Sequence, residues 1–180
     1  MRKTARLLVF VLVLTFMGAV AVRSGMKAFY PKRYADIVEK YSAAYGVDET
    51  LIYAVIRTES SFNPAATSEV GAKGLMQIMP DTVDWLCNRL GEDADAVDLQ
   101  DEDTAIRLGT YFLKILQDKF GDTHTVLAAY HAGMGCVQGW LRDGTLSTDG
   151  RTLHTIPYKD TAHYVQKVER AMQTYKNLYA

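Results

Sequence analysis

The sequence predicts a mainly α-helical domain behind one apolar N-terminal segment, and three observations predict it. Beyond Tyr30, apolar residues recur at helical spacing, with glycine stops at Gly46, Gly91, Gly121 and Gly133. No stretch in the helical part reads as a strand. The first 23 residues join a basic start to a long apolar run. At 180 residues the chain suits one compact domain with a real hydrophobic core.

The elements follow in order. Arg2, Lys3 and Arg6 precede the apolar run at 7–22, and Arg23 closes it. This is a targeting segment with two possible fates. It is a secretory signal peptide cleaved at the small-x-small site Ala19-Val20-Ala21, or a retained signal anchor whose roughly 16 apolar residues span a thin bilayer. The basic flank and the lack of a polar face argue against a buried core helix. No Cys lies in the run, which excludes lipoprotein attachment. Either fate puts residues 24–180 outside the cytoplasm.

A helix at 34–45 places Tyr34, Ile37, Val38, Tyr41 and Tyr45 on one face, and Gly46 stops it. Residues 51–60 form the next, with Asp48 as its N-cap. Pro80 and Asp81 open a helix that stops at Gly91. The helix at 104–120 has three acids before it and carries Ile106, Leu113, Leu116 and Phe120 on one stripe. Asp122 or Thr123 caps a helix bearing Val126, Leu127 and Tyr130. The last helix, 160–178, turns Tyr164, Val168, Ala171, Tyr175 and Leu178 inward. Residues 143–157 are rich in Gly, Ser and Thr and read as a mobile loop or a short hairpin.

Composition limits the partners. The formal net charge of −1 conceals an asymmetry. Four of the basic residues sit in the first 23 positions, which leaves 16 bases against 21 acids afterwards, a balance of −5. A nucleic-acid partner would call for a basic patch, so none is expected. Cys87 and Cys136 are either two free thiols or, in an oxidising compartment, a disulfide. His124, His131, His154 and His163 show no metal spacing. No metal and no cofactor are expected.

Glu59 carries the chemistry. The stripe Ile52, Val55, Ile56 continues to position 59, so its carboxylate falls over the buried face one turn past Val55. A carboxyl against apolar neighbours keeps its proton to higher pH, which is the state a general acid needs. A helix-end Glu can also bend out to solvent or join a structural ion pair.

The residues after it narrow the choice. Ser60 is adjacent, and Phe62-Asn63-Pro64 breaks the helix. A GAKGLMQIMP run follows at 71–80, AYHAG at 129–133, and IPYKDTAHYV at 156–165. In this order the motifs resemble the soluble lytic transglycosylase family over about residues 30–179. The resemblance implies a lysozyme-like helical domain with a substrate cleft at 24–180, behind the signal or anchor segment at 1–23. It implies Glu59 as the catalytic acid and then base. The substrate would be the bond between N-acetylmuramic acid and N-acetylglucosamine in peptidoglycan, and the product a 1,6-anhydro sugar. It implies that Ser60 polarises the cleft, Met76 lines a sugar subsite, Gln77 hydrogen-bonds substrate, and the Tyr130 hydroxyl reaches the Glu59 carboxyl. Tyr158 and Tyr164 would form cleft wall and pocket. It also favours the retained anchor over the cleaved peptide.

Two positions depart from the family pattern. His131 stands where Asn is usual, and a histidine titrates near pH ~6.5. Asp160 stands where Glu is usual and reaches one methylene less. Each of these residues also has an ordinary packing or surface reading. Two rival functions remain at this point. One is a hydrolytic muramidase using the same Glu59; the other is a silent glycan-binding domain.

Overall fold

The computed structural model describes residues 2–180, with side chains from Phe10 onward; those of Arg2, Lys3 and Arg6 lie outside the described residues. Among the described residues, eight α-helices make the fold: α1 Arg2–Phe29, α2 Ala35–Tyr45, α3 Glu49–Glu59, α4 Pro80–Leu90, α5 Glu102–Phe120, α6 Thr123–Ala132, α7 Met134–Leu141 and α8 Lys159–Tyr179. A single 3₁₀ turn, Ala94–Ala96, bridges α4 and α5. Among the described residues there is no strand longer than isolated bridges, Thr67 to Lys73 and Lys73 to Ile78.

The caps at Asp48 and Asp122 are those the sequence marks, and Asp101 adds a third. Asp48 accepts from the Thr50 backbone N–H at 2.7 Å, and Asp101 and Asp122 do the same for Thr104 and Thr125. Gly46 and Gly91 end α2 and α4 in the left-handed region. The short helix α7 is the element that periodicity does not reveal. Its MGCVQGWL sequence has two glycines and no side-chain N-cap. It forms because Val137 and Trp140 are buried against its neighbours.

Helix α3 is the centre. Leu51, Ile52, Tyr53, Ala54, Val55 and Ile56 are all buried, so the helix is covered on every side rather than along one stripe. It packs against α8 and α2, while α6 lies between α5 and α8. Burying each large aliphatic side chain contributes about 1.5–3 kcal/mol. From α8, Tyr164, Val168, Ala171, Tyr175 and Leu178 face inward, as their spacing predicts. Tyr175 stacks on Tyr53 at 5.3 Å between ring centres and meets the edge of Tyr30 at 5.5 Å.

Helix α1 stands out from this body. Residues 10–29 form a 20-residue apolar stretch of mean hydropathy 1.5, none of it buried. The helix continues past Arg23 to Phe29 without a break. Its far end is tied down. The Arg23 guanidinium donates to the Leu178 carbonyl at 2.8 Å, at the C-terminus of α8. Tyr179 and Tyr175 hydroxyls donate to the carbonyls of Tyr30 and Pro31, and Arg57 Nε donates to that of Phe29.

The 143–157 segment is neither a hairpin nor free. The Asp149 carboxylate accepts from the backbone N–H of Arg151 and Thr152, which holds its pKa down to about 2. Leu153 is buried, and its N–H donates to Thr125 Oγ1 at 3.1 Å. Cys87 and Cys136 are free thiols, one buried and one half-buried.

The loop from Asn63 to Pro80 brings the GAKGLMQIMP run under α3. Gly74 has φ 76°, and a Cβ there would overlap the Leu99 carbonyl oxygen. Two penalties therefore meet at one residue: a left-handed backbone and a clash with main chain that has no rotamer to yield. Gly74→Ala is expected to cost about 2–5 kcal/mol and to lower the melting temperature by many degrees. Scanning calorimetry of the variant checks this; an unchanged transition would mean that the loop relaxes freely.

Candidate active site

Glu59 is the last residue of α3. It sits where the most buried helix of the fold meets the Gly74 loop, α6 and α8. Its carboxyl is largely shielded, and burial raises its pKa from 4.5 to about 7. Two groups oppose that rise. The larger effect is the Tyr164 hydroxyl; the smaller is the Lys167 ammonium, one turn along α8.

The Tyr164 hydroxyl is buried and makes no hydrogen bond of ordinary geometry. A buried unpaired donor costs about 1–3 kcal/mol. Burial holds the phenol well above its usual pKa, and the Glu59 charge adds to this, so it remains a donor. It is poised to serve the carboxylate once the Glu59 proton has left.

Tyr130 takes a different place from the one the resemblance implies. Its hydroxyl donates to the Met76 carbonyl at 2.7 Å rather than to the Glu59 carboxyl. Burial is the main cause of its raised pKa, and Glu59 adds to it. Tyr130 therefore ties α6 to the loop and forms a neutral wall near the acid.

Ser60 works in the same manner. Its hydroxyl donates to the Leu75 carbonyl at 2.8 Å, fixing the end of α3 to the loop. Met76 is fully buried, with its thioether packed over Gly109, where even a Cβ would overlap it. Its side chain belongs to the core, so the expectation that it lines a sugar subsite is corrected: only its main chain meets the site. Packing in a dry interior suits a thioether better than a wet groove. The Gln77 amide donates to the Ala66 and Gly74 carbonyls at 3.1 and 2.9 Å, bracing a residue held at φ 48°. Its Oε1 alone is left to meet a ligand.

On the other side, His131 Nδ1 lies 3.1 Å from Thr161 Oγ1, and its ring lies over Tyr164 with centroids 4.5 Å apart. Partial burial lowers the His131 pKa, with Asp160 pulling the other way. A charge change near pH ~6.5 is therefore displaced downward, and the ring is mostly neutral at neutral pH. Asp160 is exposed in the first turn of α8, within electrostatic reach of His131. Tyr158 is 57% exposed and meets the edge of Trp140 at 5.0 Å.

The structure sets Tyr164 and Lys167 against the Glu59 carboxyl with Tyr130 close by, while Ser60 fixes the loop and His131 packs on Tyr164. Gln77 braces the same loop, and Tyr158 and Asp160 stand at the rim of α8. Lys167 lies outside the motifs, and Thr161 is a motif position to which the resemblance assigns no role. Lys167 was visible in principle, three residues after Tyr164 and so on the same face of α8. Two surface concavities, of 560 and 350 Å³, are not lined by Glu59. The environment of the carboxyl, rather than pocket size, marks this site. Among the described residues, no three His, Cys, Asp or Glu side chains gather as a metal-binding group.

Comparison with known proteins agrees with the geometry. The family profile of the transglycosylase SLT domain matches residues 36–148. The chain belongs to this family. The SLT-domain chain is 33% identical to the soluble lytic murein transglycosylase of Escherichia coli strain K12, over 77% of its own length and 22% of that protein. It is 31% identical to the membrane-bound lytic murein transglycosylase C of Haemophilus ducreyi, over 82% of its length and 46% of that protein. It therefore spans between about a fifth and a half of these relatives. The fold matches the 70 kDa soluble lytic transglycosylase of Escherichia coli with a TM-score of 0.71 and 29% identity, covering 84% of this chain and 25% of that one. An inactive glutamate-to-glutamine mutant of the lytic transglycosylase Slt of Pseudomonas aeruginosa matches at 0.71 and 32%, over 83% and 25%. The SLT-domain chain thus has the mainly α, lysozyme-like architecture of those enzymes.

The buried carboxyl has a stability consequence with a definite sign. Folded Glu59 keeps its proton to about pH 7, whereas an unfolded one releases it near 4.5. Between these values the folded state binds more protons, so stability falls as pH rises and the loss is complete above about 7. The shift corresponds to roughly 3 kcal/mol. Glu59→Gln is expected to be more stable than wild type at pH 8 by about 2–3 kcal/mol, with the gap closing near pH 4. Urea denaturation at both pH values tests this; a gap that does not change with pH would mean that the carboxyl is not desolvated.

Proposed function

We propose that this domain is a peptidoglycan lytic transglycosylase acting on the β-1,4 bond between N-acetylmuramic acid and N-acetylglucosamine, with Glu59 as acid and then base. One observation carries the reading: a shielded carboxyl at the end of α3, with its pKa raised to about 7 by burial. Glycosidases that act through two carboxylates need a nucleophile or base beside the acid. The reading adopted for this family assigns both proton transfers to the same group, Glu59.

The steps balance without a second acid. Protonated Glu59 gives its proton to the glycosidic oxygen, and the C1–O bond breaks as N-acetylglucosamine leaves with a new hydroxyl. The acetamido oxygen of the substrate shares the positive charge at C1. Glu59, now a carboxylate, accepts the proton of the muramoyl 6-hydroxyl as that oxygen bonds to C1. The result is a 1,6-anhydro ring and a reprotonated Glu59. Tyr164 eases the charged interval by donating toward the carboxylate, and a pKa near 7 lets one group donate and accept with little bias. The names of the relatives support the substrate class, and the inactive glutamate-to-glutamine relative supports dependence on one Glu. A solved complex of the 70 kDa relative with bulgecin A supports a ligand site on this fold.

The N-terminal part completes the proposal. Residues 1–23 act as a retained signal anchor and 24–180 as the catalytic domain on the outer side of the membrane. The exposed apolar stretch of α1 and the membrane-bound relatives support this.

Glu59→Gln should lose at least ~10²-fold in cleavage rate while folding normally. Digestion of purified sacculi followed by mass spectrometry reads both rate and product. An anhydro end, lighter by one water than a reducing end, is expected from the wild type. A reducing end would assign hydrolysis instead, and full activity in the variant would move the acid to another residue.

Full-length protein should stay with membranes through high-salt and alkaline washing, because an inserted helix is held by its apolar surface and not by charge. Recovery of a soluble form beginning at Val22 would show cleavage after Ala21 and replace the anchor with a signal peptide.

A further inference from the structure

A concavity of about 560 Å³ has a lining that includes none of the residues named around Glu59. Lys119 comes from the last turn of α5, Gln138 and Leu141 from α7, Arg142 from its C-cap, and Arg151 from the pinned 143–157 segment. Helix α6, with its 10 residues, separates this hollow from His131 by ~15 Å. Three cations thus converge on one cavity of a chain whose net charge is −1. Among the described residues, none of the three has a carboxylate within 4.0 Å, although four other Lys and Arg side chains do. Lys119 and Arg142 at helix C-termini are partly explained by the helix dipole. Arg151 is not at a helix end. Its backbone N–H is fixed by Asp149 at 2.8 Å, and Gly150 before it has φ 68°, so the turn that presents it is built.

We propose that this cavity binds a carboxylate-bearing peptide. Two guanidinium forks match carboxylates in bidentate fashion, and Lys119 adds a third, separate charge. The Gln138 amide can pair with a peptide group, and Phe120 and Leu141 give an apolar floor for the spacer between charges. A single phosphate would leave most of the volume empty. The hollow is bounded by the C-terminal ends of α5 and α7, so it lacks the helix N-terminus that typifies phosphate sites. Resting on the reading of the preceding section, the acidic peptides borne by the wall polymer carry this chemistry, and the cavity would grip them away from the bond being cut.

The test needs no cleavage, so it stands or falls separately from the catalytic reading. Full-length protein in neutral detergent micelles is titrated with the peptide Glu-Ala-Glu, with its fully amidated form, and with inorganic phosphate at matched ionic strength. Backbone amide NMR shifts are read. Saturable shifts at Gln138, Gly150 and Arg151 are expected, with a millimolar Kd of the order usual for a few exposed charge pairs. Combined Lys119→Gln, Arg142→Gln and Arg151→Gln should weaken binding about tenfold or more, and Arg151→Gln alone should weaken it measurably. An unchanged spectrum elsewhere verifies the fold. Equal shifts with phosphate would make this a general anion site, and equal shifts with the amidated peptide would show that charge is not read. Binding that the variants do not alter, or shifts centred on Glu59, would place the peptide elsewhere. Each of these outcomes overturns the proposal.

Discussion

The desolvation of one carboxyl organises the site. Glu59 could not hold a proton near neutrality if α3 were a surface helix, because water would stabilise its charge. What shields it is the burial of Leu51 through Ile56 on all sides, and that burial requires α8 to cover one face and α2 another. The environment of this carboxyl is therefore set by how α3 is packed. Tyr130 and Ser60 add little chemistry of their own. By holding the Met76 and Leu75 carbonyls they keep the loop pressed against the end of α3, and so keep water away.

This division of labour explains which parts of the site were legible beforehand. The position of Glu59 could be read because an acid on an apolar stripe violates a simple spacing rule. The caps at Asp48 and Asp122 were legible because one side chain and one N–H determine them locally. Met76 and Tyr130 were harder. Their motif positions are correct, but whether a side chain points to the groove or to the core depends on what faces it. Here the absence of a side chain at Gly109 opens a slot that takes the thioether of Met76. A gap that a residue on a different helix leaves open has no local signature in sequence.

The same reasoning covers α7 and the segment after it. Two glycines in eight residues hide a helix from propensity, and tertiary burial of Val137 and Trp140 restores it. Residues 143–157 look compositionally free, yet Asp149 and the buried Leu153 fasten them. Composition reports backbone freedom in the unfolded chain, whereas the folded loop is governed by a few hydrogen bonds. The His131 departure is similar in kind. Its ring finds Thr161 and Tyr164, so an imidazole is accommodated there, largely uncharged at neutral pH.

The tie between α1 and the body has a mechanical consequence. A domain on a slack tether tumbles, and its working groove samples every direction. Here the Arg23 bond to the end of α8, the tyrosine bonds to Tyr30 and Pro31, and the Arg57 bond to Phe29 splice the first helix into the globule without a swivel. Arg57 is also two residues from Glu59 on α3. Whatever fixes the axis of α1 therefore sets the height and heading of the carboxyl as well, as a handle sets the angle of a blade.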